Sequence, residues 1–161
     1  MPKKQKLSVE RRKEVFHAAL KASETFRKSC GLGVEDVYAG FEEWLHRSID
    51  ENWKIVAVTR NAASALIQSG FDMKLVRRAH KMKRVDRYAA MIELPREHQY
   101  DFFMEQDQVT LTTREENQRN GTAHWSEVLP LPDSIGHIGG SFRAYFTNPQ
   151  KTAFIKHFGE I

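Results

Sequence analysis

Cysteine is almost absent: Cys30 is the only one in the chain. That excludes an internal disulfide and any zinc site built on a Cys-x-x-Cys pair, and it fits a reducing compartment. Lying near the end of an apolar helical stripe, Cys30 is expected as a small buried residue. Long apolar runs are missing too. The longest, such as Ile55 to Val58, extend four or five residues, against the roughly 18 that suggest a membrane span, so neither a span nor a membrane partner is expected. Pro2 to Lys6 looks like the charged start of a secretory signal, but Ser8-Val9-Glu10-Arg11-Arg12-Lys13 stands where the apolar segment would follow, and the expected location is the cytoplasm. No Gly-x-Ser-x-Gly motif occurs, which leaves serine nucleophilic catalysis without support. The glycines after residue 30 and in the run around His137 are too few or wrongly placed to cradle a phosphate, although the latter loop is a candidate mobile lid.

What is present is an ordinary globular composition, 40% hydrophobic and 29% charged, with ten phenylalanines and three tryptophans, so an aromatic-rich core is expected. A length of 161 residues is enough to bury about two thirds of the unfolded surface, and the expectation is one domain over 1–161. Charge divides that domain. Residues 1–87 carry 19 Lys and Arg against 11 Asp and Glu, a net of +8, while residues 88–161 carry 6 against 10, a net of −4. We therefore read a basic helical part over 1–94 and an acidic, β-containing part over 95–161. Seven of the 14 residues from Lys74 to Arg87 are cationic, with His80 among them.

Ser8 caps an expected helix whose apolar positions Val9, Phe16, Ala19, Leu20, Phe26 and Cys30 share a face, ended by Gly31 and Gly33. Val34, Val37, Tyr38, Phe41, Trp44, Leu45 and Ile49 repeat the pattern and predict a second helix over 34–51. Residues 53–59 fit a strand or a helix start, and helix is favoured; Thr59 or Asn61 then caps a helix stopped by Gly70. The small-residue run from Val58 to Phe71 has the look of a helix-turn-helix centre, mostly as a packing signature. Between 72 and 94 two helices are expected to meet near Lys83 and Arg84, because Leu75, Ala79 and Met82 form one stripe while Val85, Tyr88 and Ile92 form another. Pro95 opens a helix to about Gln106. Val109–Thr113, part of His124–Leu129, and Ser141–Phe146 read as strands, and Asn148-Pro149 opens a terminal helix. The predicted class is α+β: a helical first two thirds, then a small antiparallel sheet and a C-terminal helix.

Such a helix pair would present Lys74, Arg77, Arg78, Lys81, Lys83, Arg84 and Arg87 outward as one surface for phosphates of DNA or RNA, a binding role that requires no cofactor. Single strands would also need exposed aromatics, for which Tyr88 and Trp125 are candidates, although their spacing reads as core. The same cations would also suit an acidic protein partner, making the chain an interaction or inhibitor module. Glu105, Asp107, Glu115 and Glu116 flank the first expected strand as paired carboxylates of a further metal site would, but their spacing is not specific and they are expected as a solvated acidic edge.

His124, Asn148 and His157 stand in an order, across an expected strand, loop, strand and helix, that resembles nucleases of the His-Asn-His type. The resemblance covers the last 38 residues, and Ala123 stands where those nucleases carry a metal-binding acid or histidine. It implies that His124 activates water, that Asn148 fixes the loop, and that Glu127 with His157 holds magnesium or another divalent metal.

Overall fold

The computed structural model describes residues 7–48, 54–119, 121–136, 138 and 144–161. Pro2 to Lys6, the end of the second expected helix beyond Ser48, and His137 lie outside them. The Ser8 hydroxyl accepts from the Arg11 amide at 3.2 Å and opens α1 (Val9–Cys30). Gly31 closes it in the left-handed region at φ 64°, and the Leu32 amide returns to the Arg27 carbonyl at 2.9 Å, the closure for which glycine is suited. There follow α2 (Val34–Ser48), β1 (Ile55–Thr59), α3 (Arg60–Gln68), β2 (Val76–His80), α4 (Arg84–Ile92), α5 (Arg96–Gln106), β3 (Val109–Thr113), α6 (Arg114–Gln118), β4 (Val128–Pro130), a short 3-10 turn at Asp133–Ile135 and α7 (Asn148–Phe158). The class is α+β, with a mixed rather than purely antiparallel sheet.

Two compact units share the chain. The first takes Met1–Asn52 and Met82–Asp107, the second Trp53–Lys81 and Gln108–Ile161, so the change from basic to acidic sequence falls inside the first unit.

The first unit is α1, α2, α4 and α5 around Phe16, Leu20, Val37, Phe41, Leu45, Tyr88, Met91, Tyr100 and Phe103. Its rings meet edge to face, Phe16 on Phe41 and Phe41 on Phe103 each at 5.7 Å between centroids, the arrangement favoured by the ring quadrupole. Not every apolar position of the helical stripes faces inward. Phe26 and Trp44 are 57% and 52% exposed, and Cys30 is an exposed thiol rather than a core residue. A 22-residue helix outruns its neighbours, so its last turns keep the spacing without a surface to pack on.

The second unit is a four-stranded sheet in the order β2-β3-β1-β4. β1 runs parallel to β3, while β4 pairs with β1 and β2 with β3 antiparallel. Val58, Ala62, Ala63, Leu66, Val76, Leu111, Phe154 and Phe158 lie in its core. Two expectations are corrected here. Residues 55–59 are a strand, not a helix start: Ile55, Ala57 and Val58 are buried in the middle of the sheet, where β-branched residues fit best. Residues 76–80 are also a strand, held by five residue pairs from Val76↔Thr113 to His80↔Val109. The buried pair Val76 and Ala79 has the i, i+3 spacing of a helical stripe, but Leu75, expected in that stripe, is 43% exposed, and pairing with β3 overrides local propensity. Elsewhere, the strand expected over 124–129 is confined to β4, residues 114–118 are helical rather than loop, and of the strand expected over 141–146 residues 141–143 lie outside the described residues while Tyr145 forms a bridge. α7 is capped by Thr147 through a capping box with Gln150, with Asn148 as its first residue and not its cap.

Candidate anion-binding site

The turn between α3 and β2 is unusually well fixed. Gly70 and Phe71 both lie in the left-handed region, at φ 66° and 69°, a conformation that costs a bulky residue about 1–2 kcal/mol. The Phe71 ring is held against Phe146 and Phe154 at 5.1 and 5.5 Å, and its amide reaches the Leu66 carbonyl at 2.7 Å. Beyond it the Asp72 amide donates to Ser69 Oγ at 3.1 Å, and Asp72 Oδ1 accepts from the Lys74 amide at 3.0 Å. The carboxylate of Asp72 is thus committed to backbone, and Met73 and Lys74 are presented at a set angle just before β2.

Beside that turn lies a cavity of about 310 Å³ lined by Met73, Lys74, Val76, Arg77, Arg78, Leu111 and Ala144. Register puts Val76, Arg78 and the partner of Arg78, Leu111, on one face of the sheet, since side chains alternate along a strand. Arg77 starts on the other face, but its Nη1 donates to the carbonyls of Lys74 and Val76 at 2.9 and 2.8 Å, leaving Nη2 available to an anion. Four apolar side chains and three cations therefore border one space.

The seven expected cations do not share one surface. Lys74, Arg77 and Arg78 border the cavity, Lys81 is exposed just after β2, and Lys83 is exposed at the start of α4. Arg87 is 0% exposed and is a structural residue of the first unit. Its Nη2 is ion-paired with Glu42 Oε1, and its Nη1 lies 2.9 Å from Asp107 Oδ1 and donates to the Gln106 carbonyl at 3.1 Å. Its guanidinium also lies over the Phe103 ring at 4.6 Å. Arg84 pairs with the second oxygen of Glu42 and lies over Tyr38. Burying these charges is tolerable only because each is paired and hydrogen-bonded.

The expected solvated acidic edge is corrected at two of its four members, because Asp107 and Glu116 are both buried. Glu116 ties together the ends of β1 and β3 and the loop before β4. One carboxylate oxygen accepts from Thr59 Oγ1 at 2.6 Å and the Thr113 amide at 2.8 Å, and the other from the Ser126 hydroxyl at 2.6 Å and its amide at 2.9 Å. Burial by itself raises the pKa of this carboxyl, but the hydroxyls of Ser126 and Thr59, with the two amides, outweigh it and bring it down to about 2, as multiple donors to a carboxylate do. A group so fully occupied is an anchor, not a proton carrier. The signal for it was in the sequence: Thr113-Arg114-Glu115-Glu116 is a capping box, and both halves of that box are formed.

His124 and Trp125 belong to the same latch, donating from Nε2 and Nε1 to the Glu116 carbonyl at 2.5 and 3.2 Å. Glu127 Oε2 accepts from Arg60 at 3.0 and 2.5 Å. Asn148 opens α7 and His157 lies nine residues further along it, about 13.5 Å along the axis at 1.5 Å per residue, the order the His-Asn-His reading expects on its helix. Residues 141–143, in the second strand that this reading expects, lie outside the described residues. Among the described residues no group of three or more His, Cys, Asp or Glu side chains is placed to hold a metal ion. Tyr88 is buried, its hydroxyl 2.8 Å from Ser23 Oγ and 2.9 Å from Glu24 Oε1, and offers no platform to a base.

The chain matches no protein-family model, no curated protein and no solved structure. Among the described residues no helix is long and apolar enough to cross a membrane.

What the sequence did not signal is the apolar wall of the cavity. Met73 and Val76 come from one stretch, Leu111 and Ala144 from two others, and the pairing of β2 with β3 brings Val76 and Leu111 to one face.

Proposed function

We propose that this protein binds nucleic acid through its second unit, with Lys74, Arg77 and Arg78 as the phosphate contacts. The observation that carries the reading is the cavity those three cations border. Charge supports it: the second unit holds 11 Lys and Arg against 6 Asp and Glu, a net of +5, and the first holds 14 against 15, a net of −1. Three of the six acids of the second unit are also committed, Glu116 to hydroxyls and amides, Glu127 to Arg60, and Asp72 to the Lys74 amide. Concentrated positive charge with few free carboxylates favours polyanions. A single thiol, exposed at Cys30, suits a reducing interior, and we assign the protein to the cytoplasm on that ground.

The test is a salt titration of binding to a labelled oligonucleotide. Three phosphate contacts give a slope of log affinity against log salt of about −2 for a single strand, at about −0.7 each. Lys74→Gln and Arg78→Gln each reduce the slope by about 0.7, and Arg84→Gln leaves it unchanged. A slope near zero in the unsubstituted protein overturns the reading.

A further inference from the structure

We infer that the cavity beside β2 receives one unpaired nucleotide of a single strand, its base against the apolar wall and its phosphate on the cations. The inference rests on the nucleic-acid reading and narrows it. In a duplex the faces of the bases are stacked inward, leaving phosphates, sugars and base edges to the protein, so a phosphate-tracking surface needs no concavity and no apolar lining. This site has both, with Met73, Val76, Leu111 and Ala144 on its walls. Its volume of about 310 Å³ stands at the lower end of small-ligand sites, which run from about 300 to 1,000 Å³. That is room for a single base and sugar.

The chemistry of the walls matches the two halves of a nucleotide. Met73, half-buried at the cavity, carries a polarizable thioether suited to an aromatic ring, and Val76, Leu111 and Ala144 are buried around it. Arg77 Nη2 and the exposed Lys74 ammonium reach an anion at the mouth, where guanidinium and phosphate pair as charge-assisted hydrogen bonds. Because the turn carrying Met73 and Lys74 is pinned by Ser69, Asp72 and the Phe71 ring, little ordering cost is left for binding. No aromatic side chain borders the cavity among the described residues.

The experiment uses the full chain and four probes at one ionic strength: a labelled mixed-sequence single strand, a blunt duplex with the same number of phosphates, a free nucleoside monophosphate and inorganic phosphate. Expected is single-strand affinity above that for the duplex, with competition by the monophosphate and none by inorganic phosphate at equal concentration. In the same titration the methyl resonance of Met73 shifts and those of the other methionines do not. Met73→Trp, which fills the cavity without altering charge, abolishes the preference for single strands; should that variant fail to fold, the Met73 methyl shift reports occupancy of the cavity in the unsubstituted protein. Equal affinity for strand and duplex with an unmoved Met73 methyl overturns this inference while the salt slope upholds the broader reading. Absence of binding by either oligonucleotide overturns both, and tight binding of the monophosphate alone overturns the strand as its source.

Discussion

Glu116 and Arg87 show how differently two charged residues are used. Around Glu116 four donors are aligned on one carboxylate, so Glu116→Gln strands donors in a buried place at a cost of about 2–3 kcal/mol at neutral pH. Its pKa is lowered in the folded state to about 2 from an ordinary value of 4.5. The stability it contributes is therefore complete above pH 4.5 and is lost as pH falls toward 2. Urea unfolding of wild type and Glu116→Gln should differ most near neutrality and converge near pH 2; a difference independent of pH would show that the charge is not what the donors hold. Arg87 was not legible in this way. Nothing local separates it from the cations around it, and the partner that takes it inside, Glu42, lies 45 residues away. The Glu116 capping box, by contrast, spans four consecutive residues and could be read directly.

Elements were legible where their face is one-sided and their ends are marked. α1, α5 and β3 agree with the sequence because a cap, a proline or strict alternation bounds each. β1 and β2 did not announce themselves, since a strand of five residues gives periodicity too little length to decide. Their state is set by β3, which neither adjoins in sequence. The cavity has the same origin, its floor coming from β3 and its rim from β2, so basic side chains could be picked out by type but their grouping could not. The turn joining α3 to β2 carries a prediction of its own. A Cβ at Gly70 meets nothing within 4 Å, so the cost of Gly70→Ala is conformational, arising from φ 66°, and should be about 1 kcal/mol. The midpoint of urea unfolding measures it, and because Met73 and Lys74 follow in the same turn, affinity for the single strand should fall as well.

At the scale of the molecule, the division that matters is not the one between the first 87 residues and the rest. Sorting the charges by unit moves the positive excess into the second unit and leaves the first near neutral. Neutralising exposed lysines of the first unit, for instance Lys21→Gln with Lys28→Gln, should leave the salt dependence of nucleic-acid binding unchanged; a slope reduced as much as by Lys74→Gln would place the contacts on the wrong unit. The insertion of α4 and α5 between β2 and β3 bears on how the chain reaches this state. Residues of the first unit are all present by Asp107, before any of β3 has been made. Neither β1 nor β2 has a central partner until then, because both pair with β3. Arg87 grips the Gln106 carbonyl and Asp107, which draws the two ends of the insertion together and removes most of the closure entropy that a flexible loop of that length would impose. His80 and Val109 then meet as though across a short hairpin. On a ribosome the residues of the helical unit are complete first, and the sheet with its pocket assembles only as the last third of the polypeptide emerges.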